Sequence, residues 1–303
     1  MLSLLLGLTA WIGKDTMPSM ASRYRAFELE ITSEFPLPAA PGSGDLEADV
    51  TIVAGRVPGS LRFPSDTGLL FQAAPDEFLL SVAGIARYYV EAGHQITVEP
   101  AAGAKADAVE VFLSGSAMGA LLHQRGLLAL HASAVALRDM AVVFAGPSGA
   151  GKSTLVSTLI GRGYEILCDD ICVLRQDLVL PGYTRLRLWK DSLEGLGLQP
   201  GRRIREGIEK FEFDHSGRAG SLPCRQLFLL GSGEAVIEPG SRLQHLIRNT
   251  YRRRYLRGLG RQEQHFQACA RLAGRLPMAW LERGRVFGQL PGLLEEWTGA
   301  ARG

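Results

Sequence analysis

Eight residues, Gly146–Ser153 (GPSGAGKS), constrain this chain more than any other stretch of its length. They satisfy G-x-x-x-x-G-K-[ST], a spacing that needs a strand before it and a helix after it. Gly146, Gly149 and Gly151 let the backbone pass through conformations closed to residues with a Cβ. Amide N–H groups then converge on one point, and the positive end of the helix adds to them. Lys152 brings a point charge for outer phosphates, and Ser153 brings a hydroxyl able to ligate Mg²⁺. The flanks agree with this reading. An apolar run, Val142–Ala145, leads in, and Ser153–Ile160 continues as an uninterrupted helical stretch. Pro147, Ser148, Ala150 and Thr154 complete the segment expected to touch a nucleotide. The expected ligands are ATP, or a related nucleoside triphosphate, and Mg²⁺.

A phosphate loop does not by itself separate kinase, transport ATPase and switch. The strand that follows, Tyr164–Cys168, ends in Asp169-Asp170, two carboxylates at the sheet edge where the loop also lies. One acid there commonly holds Mg²⁺, and its neighbour points elsewhere, free to take a proton from an attacking hydroxyl. A polar turn closing a strand would look the same. Several signatures are missing from the sequence. No L-S-G-G-Q follows the loop, there is no N-K-x-D, and the H-R-D and D-F-G elements of eukaryotic-type protein kinases do not occur. The pair favours transfer to a hydroxyl. A nucleotide-binding switch, or an ATPase whose acceptor is water, stays open.

Before the loop, Tyr24–Thr32 reads as a strand, followed by short strand-like runs at Val50–Val53, Leu69–Gln72 and Gln95–Val98. Phe78–Ala92 fits either a helix or two strands, and Val111–Arg125 reads as a helix. From Leu127 the chain turns apolar: Leu127–Leu137 and Met140–Ala145 flank a turn at Arg138-Asp139. Strands are expected at Ile171–Val179 and Thr184–Trp189. Ile247, Tyr251, Tyr255 and Leu259 recur every fourth residue, as on one helix face, among Arg248, Arg252, Arg253, Arg254 and Arg257. That arginine run reads as a solvated face, a phosphate contact or a nucleic-acid surface.

Charge bears on the last option. The formal net charge is only +2, which argues against a dedicated nucleic-acid binder. Residues 1–126 carry 8 Lys+Arg against 14 Asp+Glu, and residues 127–303 carry 25 against 17, so the half with the loop is basic. Four cysteines are too few for a secreted disulfide framework at this length and read as small core residues. The apolar opening Met1–Ile12 is too short to span a bilayer and lacks a basic start. With Met17 and Met20 close behind, the opening is expected to be dispensable, and the protein is expected in the cytoplasm with no membrane partner.

The second half resembles the HPr serine kinase/phosphorylase family and its kinase relatives. That family combines a phosphate loop, a histidine on the strand pair before it and an aspartate pair after it. Asp169 and Asp170 stand 17 and 18 residues beyond Lys152, the family's spacing, and His131 matches the family histidine near the transferred phosphate. The resemblance covers Leu127–Leu198 and implies an α/β fold: a P-loop catalytic domain over 127–303 after a smaller mixed α/β domain over 20–126. It implies Asp170 as general base, Asp169 on the Mg²⁺ side, and a peptide or small protein carrying a serine hydroxyl as acceptor. A homo-oligomer is compatible with it. The family's stretch like E-I-R-G-L-G-I, whose glutamate helps hold metal, is altered here. Ser192 occupies the glutamate's place, and Asp191 or the shifted Glu194 would have to substitute. Tyr24–Pro38 and Arg187-Leu188-Trp189 are similar to a divergent branch that includes kinases encoded with lasso peptides.

Overall fold

The computed structural model describes residues 21–196, 199, 201–205, 208–213, 215–233 and 237–282. The opening Met1–Ile12, Met17, Met20, Gly197 and Leu198 lie outside the described residues, as does the Asp191 side chain. The chain divides into two compact units, Met1–Leu127 with Arg254–Glu263 and Leu128–Arg253 with Gln264–Gly303.

The first unit is a nine-stranded sheet. Its strands are β1 (Ser22–Ala26), β2 (Leu29–Ser33), β3 (Ala40–Pro41), β4 (Val50–Ala54) and β5 (Asp66–Thr67). They continue with β6 (Phe71–Ala74), β7 (Glu77–Val82), β8 (Ala86–Glu91) and β9 (Gln95–Pro100). The order is β3-β1-β2-β4-β9-β8-β7-β6-β5. Phe78–Ala92 is the hairpin β7–β8. Tyr24–Thr32 is not one strand. It turns at Phe27-Glu28, both at positive φ (58° and 57°). Such turns usually carry Asn or Gly, and neither is present to announce this one. Phe27 is fully buried, and its packing offsets a left-handed backbone costing roughly 1–2 kcal/mol per residue. The helical stretch after β9 is α1 (Ala106–Phe112), a π-turn over Leu113–Ala117, and α2 (Met118–Gln124). Tyr88 on β8 donates its hydroxyl to the Val109 carbonyl at 2.8 Å, tying this stretch to the sheet.

The second unit opens with β10 (Leu128–Leu130), β11 (Ala132–Leu137) and β12 (Met140–Ala145), then the phosphate loop and α3 (Lys152–Ile160). β13 (Glu165–Cys168), β14 (Cys172–Arg175), β15 (Leu178–Leu180), β16 (Leu186–Trp189) and α4 (Lys190–Leu196) follow. Last come β17 (Arg202–Arg205), β18 (Ile208–Phe213), β19 (Leu222–Leu230), α5 (Pro239–Arg248) and, after two further helices, β20 (Met278–Leu281). The main sheet runs β10-β14-β15-β19-β12-β11-β13, with β20 on β19, and β16-β18-β17 form a separate sheet. β10 and β11 are joined by His131 alone yet lie far apart in that order, so the sheet curls until its ends meet there. Side chains alternate accordingly. Val135, Val142 and Phe144 pack on Leu155, Val156 and Leu159 of α3. Ala134, Ala136 and Ala141 fill the other face with Val143 and Leu246, small residues where the curl leaves least room.

Three expectations change. Ile171–Val179 is the hairpin β14–β15, turning at Gln176 (φ 59°), and the strand expected from Thr184 begins at Leu186. The four-residue stripe is not one helix. α5 stops at Arg248, Arg252 takes φ 49°, and a new helix, α6 (Tyr255–Gly258), starts beyond it, followed by α7 (Gln262–Ala273). Tyr251 and Tyr255 are both buried, but in different units, so equal spacing arose from two separate burials. The four cysteines are free thiols, and burial pushes Cys224 and Cys269 each up to about 12.

Tyr255 makes the membership of Arg254–Glu263 testable. Its ring centroid lies 4.8 Å from that of Phe71 and 4.5 Å from that of Phe78, within the first unit. Tyr255→Ala is expected to cost about 3–5 kcal/mol, as other large-to-small aromatic truncations do, and to raise amide hydrogen exchange in β6 and β7. Tyr255→Phe is expected to be neutral or slightly stabilising, because the buried hydroxyl has no hydrogen-bond partner. Unchanged exchange in β6 and β7 after Tyr255→Ala would detach this segment from the first unit.

Candidate active site

The loop leaves β12 through Gly146 (φ 154°) and reaches α3 through Gly149 (81°) and Gly151 (96°), the left-handed region that a Cβ disfavours. Lys152, the first residue of α3, is only 6% exposed. Its ammonium lies over the loop, donating to the carbonyls of Gly146 (2.8 Å) and Pro147 (3.1 Å). A buried cation needs such partners.

The third partner of that ammonium is His131 Nε2, at 3.0 Å. On its other side, His131 Nδ1 is 3.1 Å from Asp170 Oδ1. Lysine only donates, so Nε2 accepts and the ring proton sits on Nδ1, which donates to Asp170. His131 thus joins the loop cation to the second aspartate in a single chain of contacts. It can do so because it occupies the corner between β10 and β11. Asp170 sits at φ 68°, a left-handed position that Asp tolerates better than most residues, and its side chain is 37% exposed.

Asp169 faces the opposite way and is 3% exposed. Ser153 donates its hydroxyl to both carboxylate oxygens, at 3.1 and 3.0 Å. Ser133, on β11, donates to Oδ1 at 2.5 Å. Hydroxyl and carboxylate oxygens are the hard ligands that suit Mg²⁺, which usually takes one or two protein groups and fills its octahedron with water and phosphate. Among the described residues no group of three or more His, Cys, Asp or Glu is arranged to hold a metal ion. Thr154 turns from this pair, donating to the Ser192 hydroxyl at 2.9 Å.

Around these groups lies an open cleft with His131, Lys152, Ser153, Thr154 and Asp170 on its walls. Ser148, Gly149 and Gly151 line it from the loop, and Arg187, Trp189 and Ser192 from β16 and α4. Glu194, the shifted metal candidate, is exposed on α4 and is not a lining residue; Ser192 of the same helix is. Four residues were not singled out as site members in the sequence: Arg187 and Trp189 on the cleft wall, Ser133 and Tyr251. Ser133 follows His131 by two on the same run, a period-2 signal that could have marked it. Tyr251 was counted in a helical stripe. Instead its segment joins the edge of β10: Tyr251 N donates to Ala129 O at 2.9 Å and His131 N to Asn249 O at 2.7 Å. The Tyr251 and His131 rings lie 6.1 Å apart. Burial, helped by the Asp170 charge, pushes the Tyr251 phenol well up against the opposing arginines Arg252 and Arg187.

Ser133→Ala leaves Asp169 with one fewer donor. Losing a hydrogen bond to a buried charged group is expected to cost about 1–3 kcal/mol, read as a lower unfolding midpoint. The variant is also expected to need several-fold more Mg²⁺ for half-maximal nucleotide binding. An unchanged midpoint and unchanged Mg²⁺ dependence would mean that Ser133 does not hold Asp169.

No family model matches the chain. Over 49 residues, 16% of this chain, it is 39% identical to a protein of Oceanobacillus iheyensis described as HPr kinase/phosphorylase 2. The chain spans 16% of that relative's length. A solved structure, the Hpr(Ser) kinase/phosphatase from Coxiella burnetii, aligns over 57% of this chain and 94% of its own, at 16% identity and a TM-score of 0.30. Over that short segment the sequence is similar to an HPr kinase/phosphorylase.

Proposed function

We propose that this protein is an ATP-dependent kinase that transfers the terminal phosphoryl group of ATP to a serine hydroxyl on a peptide or small protein. One observation carries the reading most: two adjacent carboxylates are divided between two tasks. Asp169 is buried against the loop hydroxyl of Ser153, while Asp170 stands in the open cleft with His131. The loop amides and the Lys152 ammonium are placed to hold β- and γ-phosphates. Mg²⁺ held at Ser153 and Asp169 would neutralise phosphate charge. Asp170 accepts the acceptor's hydroxyl proton as the serine oxygen forms its bond to the γ-phosphorus. The bond from that phosphorus to the bridging oxygen breaks, and ADP leaves. His131 Nδ1–H keeps the Asp170 carboxylate oriented. The work is chiefly positioning and charge neutralisation.

The acceptor side supports a partner other than HPr. Ser192 stands where the family carries a glutamate, and its hydroxyl accepts from Thr154 instead of adding a charge to the cleft. A lasso precursor peptide is one acceptor of the right chemistry, and HPr itself is the comparison.

Lys152→Ala is expected to abolish transfer and weaken nucleotide binding. Asp170→Asn keeps a residue that tolerates positive φ, so it is expected to bind MgATP normally and lose transfer at least a hundredfold, the usual scale of a general-base loss. Asp169→Asn is expected instead to show a weaker apparent Mg²⁺ affinity. Phosphate transfer to HPr, to serine peptides and to water, followed by mass shift and by phosphate release, checks all three. Release to water alone would make the protein an ATPase. Full transfer by Asp170→Asn would remove the base from the mechanism.

A further inference from the structure

α5 ends at Arg248, and the residues beyond it close its last turn. Asn249 Nδ2 donates to the His245 carbonyl at 2.9 Å, and the Thr250 hydroxyl donates to that of Leu246 at 3.0 Å. Carbonyls at a helix C-terminus need such donors, because the helix itself supplies none. The same residues reach the site. Thr250 bridges antiparallel to Leu130 of β10, and the bonds from His131 N to Asn249 O and from Tyr251 N to Ala129 O flank that bridge. Residues 249–251 therefore lie along β10 and hold the backbone of His131, whose ring stands between Lys152 and Asp170.

Behind Thr250 stands His265 of α7, a buried titratable group that the proposed transfer does not use. Its Nε2 is 2.8 Å from the Thr250 hydroxyl. Cys269 Sγ, one turn along α7, is 3.5 Å from Nε2 and 3.9 Å from Nδ1. All three side chains are buried. A threonine hydroxyl has a single proton, and Thr250 gives it to Leu246, so His265 Nε2 is the donor in their contact. A second ring proton would have to enter at Nδ1, which faces the Cys269 sulfur, a weak acceptor. The charge facing the ring is Arg253, from the segment between α5 and α6, and Cys269 is the titratable group on its own helix. Burial, with the Arg253 charge, holds the imidazole below the ordinary histidine range, so the folded protein keeps it neutral. We propose that His265 is a positioning residue: its neutral ring, donating to Thr250, locks residues 249–251 along β10 and so sets His131 against Lys152 and Asp170, and acid releases the lock. Because the folded value lies below the unfolded one, the stabilisation is complete above about pH 6.5 and is lost as pH falls through the folded value. The effect on transfer rests on the kinase reading above; the lock itself does not.

Hydrogen exchange of the full chain reads the lock at two amides, His131 and Tyr251, as protection relative to the amides of β12. At neutral pH, His265→Leu is expected to lower protection at both by roughly tenfold, the scale of one hydrogen bond lost from a buried site. His265→Gln carries an amide N–H close to where Nε2–H stood and has no proton to titrate, so it is expected to keep wild-type protection. In the wild type that protection is expected to fall as pH drops below about 6.5, and in His265→Gln to stay constant. Transfer by the wild type is expected to decline over the same range, and by His265→Gln to decline less. Should His265→Leu fail to fold by thermal melting, Thr250→Val is measured in its place with the same loss expected, and Thr250→Ser with protection restored. Unchanged protection in the variant measured, a loss that extends equally to β12, or an acid loss that persists in His265→Gln overturns the proposal. If exchange follows these expectations while the wild type transfers no phosphate to any acceptor, the lock stands and the kinase reading falls.

Discussion

A carboxylate as buried as that of Asp169 is tolerated only where donors face it, since an unpaired charge in such a place is among the costliest defects a fold can carry. Its donors come from two other elements, Ser133 on β11 and Ser153 on α3. Meeting that demand therefore fixes the end of β13 against β11 and against the helix that follows the loop. The position of the loop relative to the sheet, the corner at His131 and the direction in which Asp170 emerges all follow from this one desolvated group. The same oxygens are hard ligands, so the requirement that orders the site also suits it to a divalent cation.

The two aspartates show how adjacent identical residues acquire different chemistry. Asp169 follows directly on β13 and takes the buried side. Asp170 enters the left-handed region at φ 68° and turns its carboxylate into the cleft. A backbone in that conformation costs roughly 1–2 kcal/mol for an L-residue, less for Asp. The hydrogen bond from His131 Nδ1 to the Asp170 carbonyl at 3.3 Å, with the carboxylate 3.1 Å away, is one interaction that offsets the cost. Strain held at a functional residue in this way orients a group without needing a ligand to do it.

Opposite the loop, the small sheet β16-β18-β17 supplies a wall by strand alternation alone. Leu186 and Leu188 anchor it, and Arg187, paired across the strands with Glu212, lies on the cleft wall. An exposed pair of this kind would add little to stability. Here burial of Glu212 with two arginines makes the arrangement rigid and expensive to break.

Much of the site was legible in the sequence because its parts are local. The glycines, Lys152 and Ser153 work through a spacing of eight residues, and the aspartate pair follows one helix and one strand later. The turn at Arg138-Asp139 was legible from the apolar runs beside it, but the strand expected over Leu127–Leu137 breaks at His131 into β10 and β11. The turn at Phe27-Glu28 was not, because its backbone is supported by burial of Phe27 and no turn residue marks it. The four-residue recurrence from Ile247 to Leu259 misled for a related reason. Periodicity records that residues are buried, without recording where. Tyr251 is buried beside His131 and Tyr255 against Phe71 and Phe78, in separate units. The sequence by itself determined a phosphate loop with its lysine, hydroxyl and acidic pair, since these obey short-range geometry. Only the tertiary structure decided that Ser133, Tyr251 and Arg187 share that site, because sheet curling and cross-strand pairing join residues whose separation along the chain carries no signal.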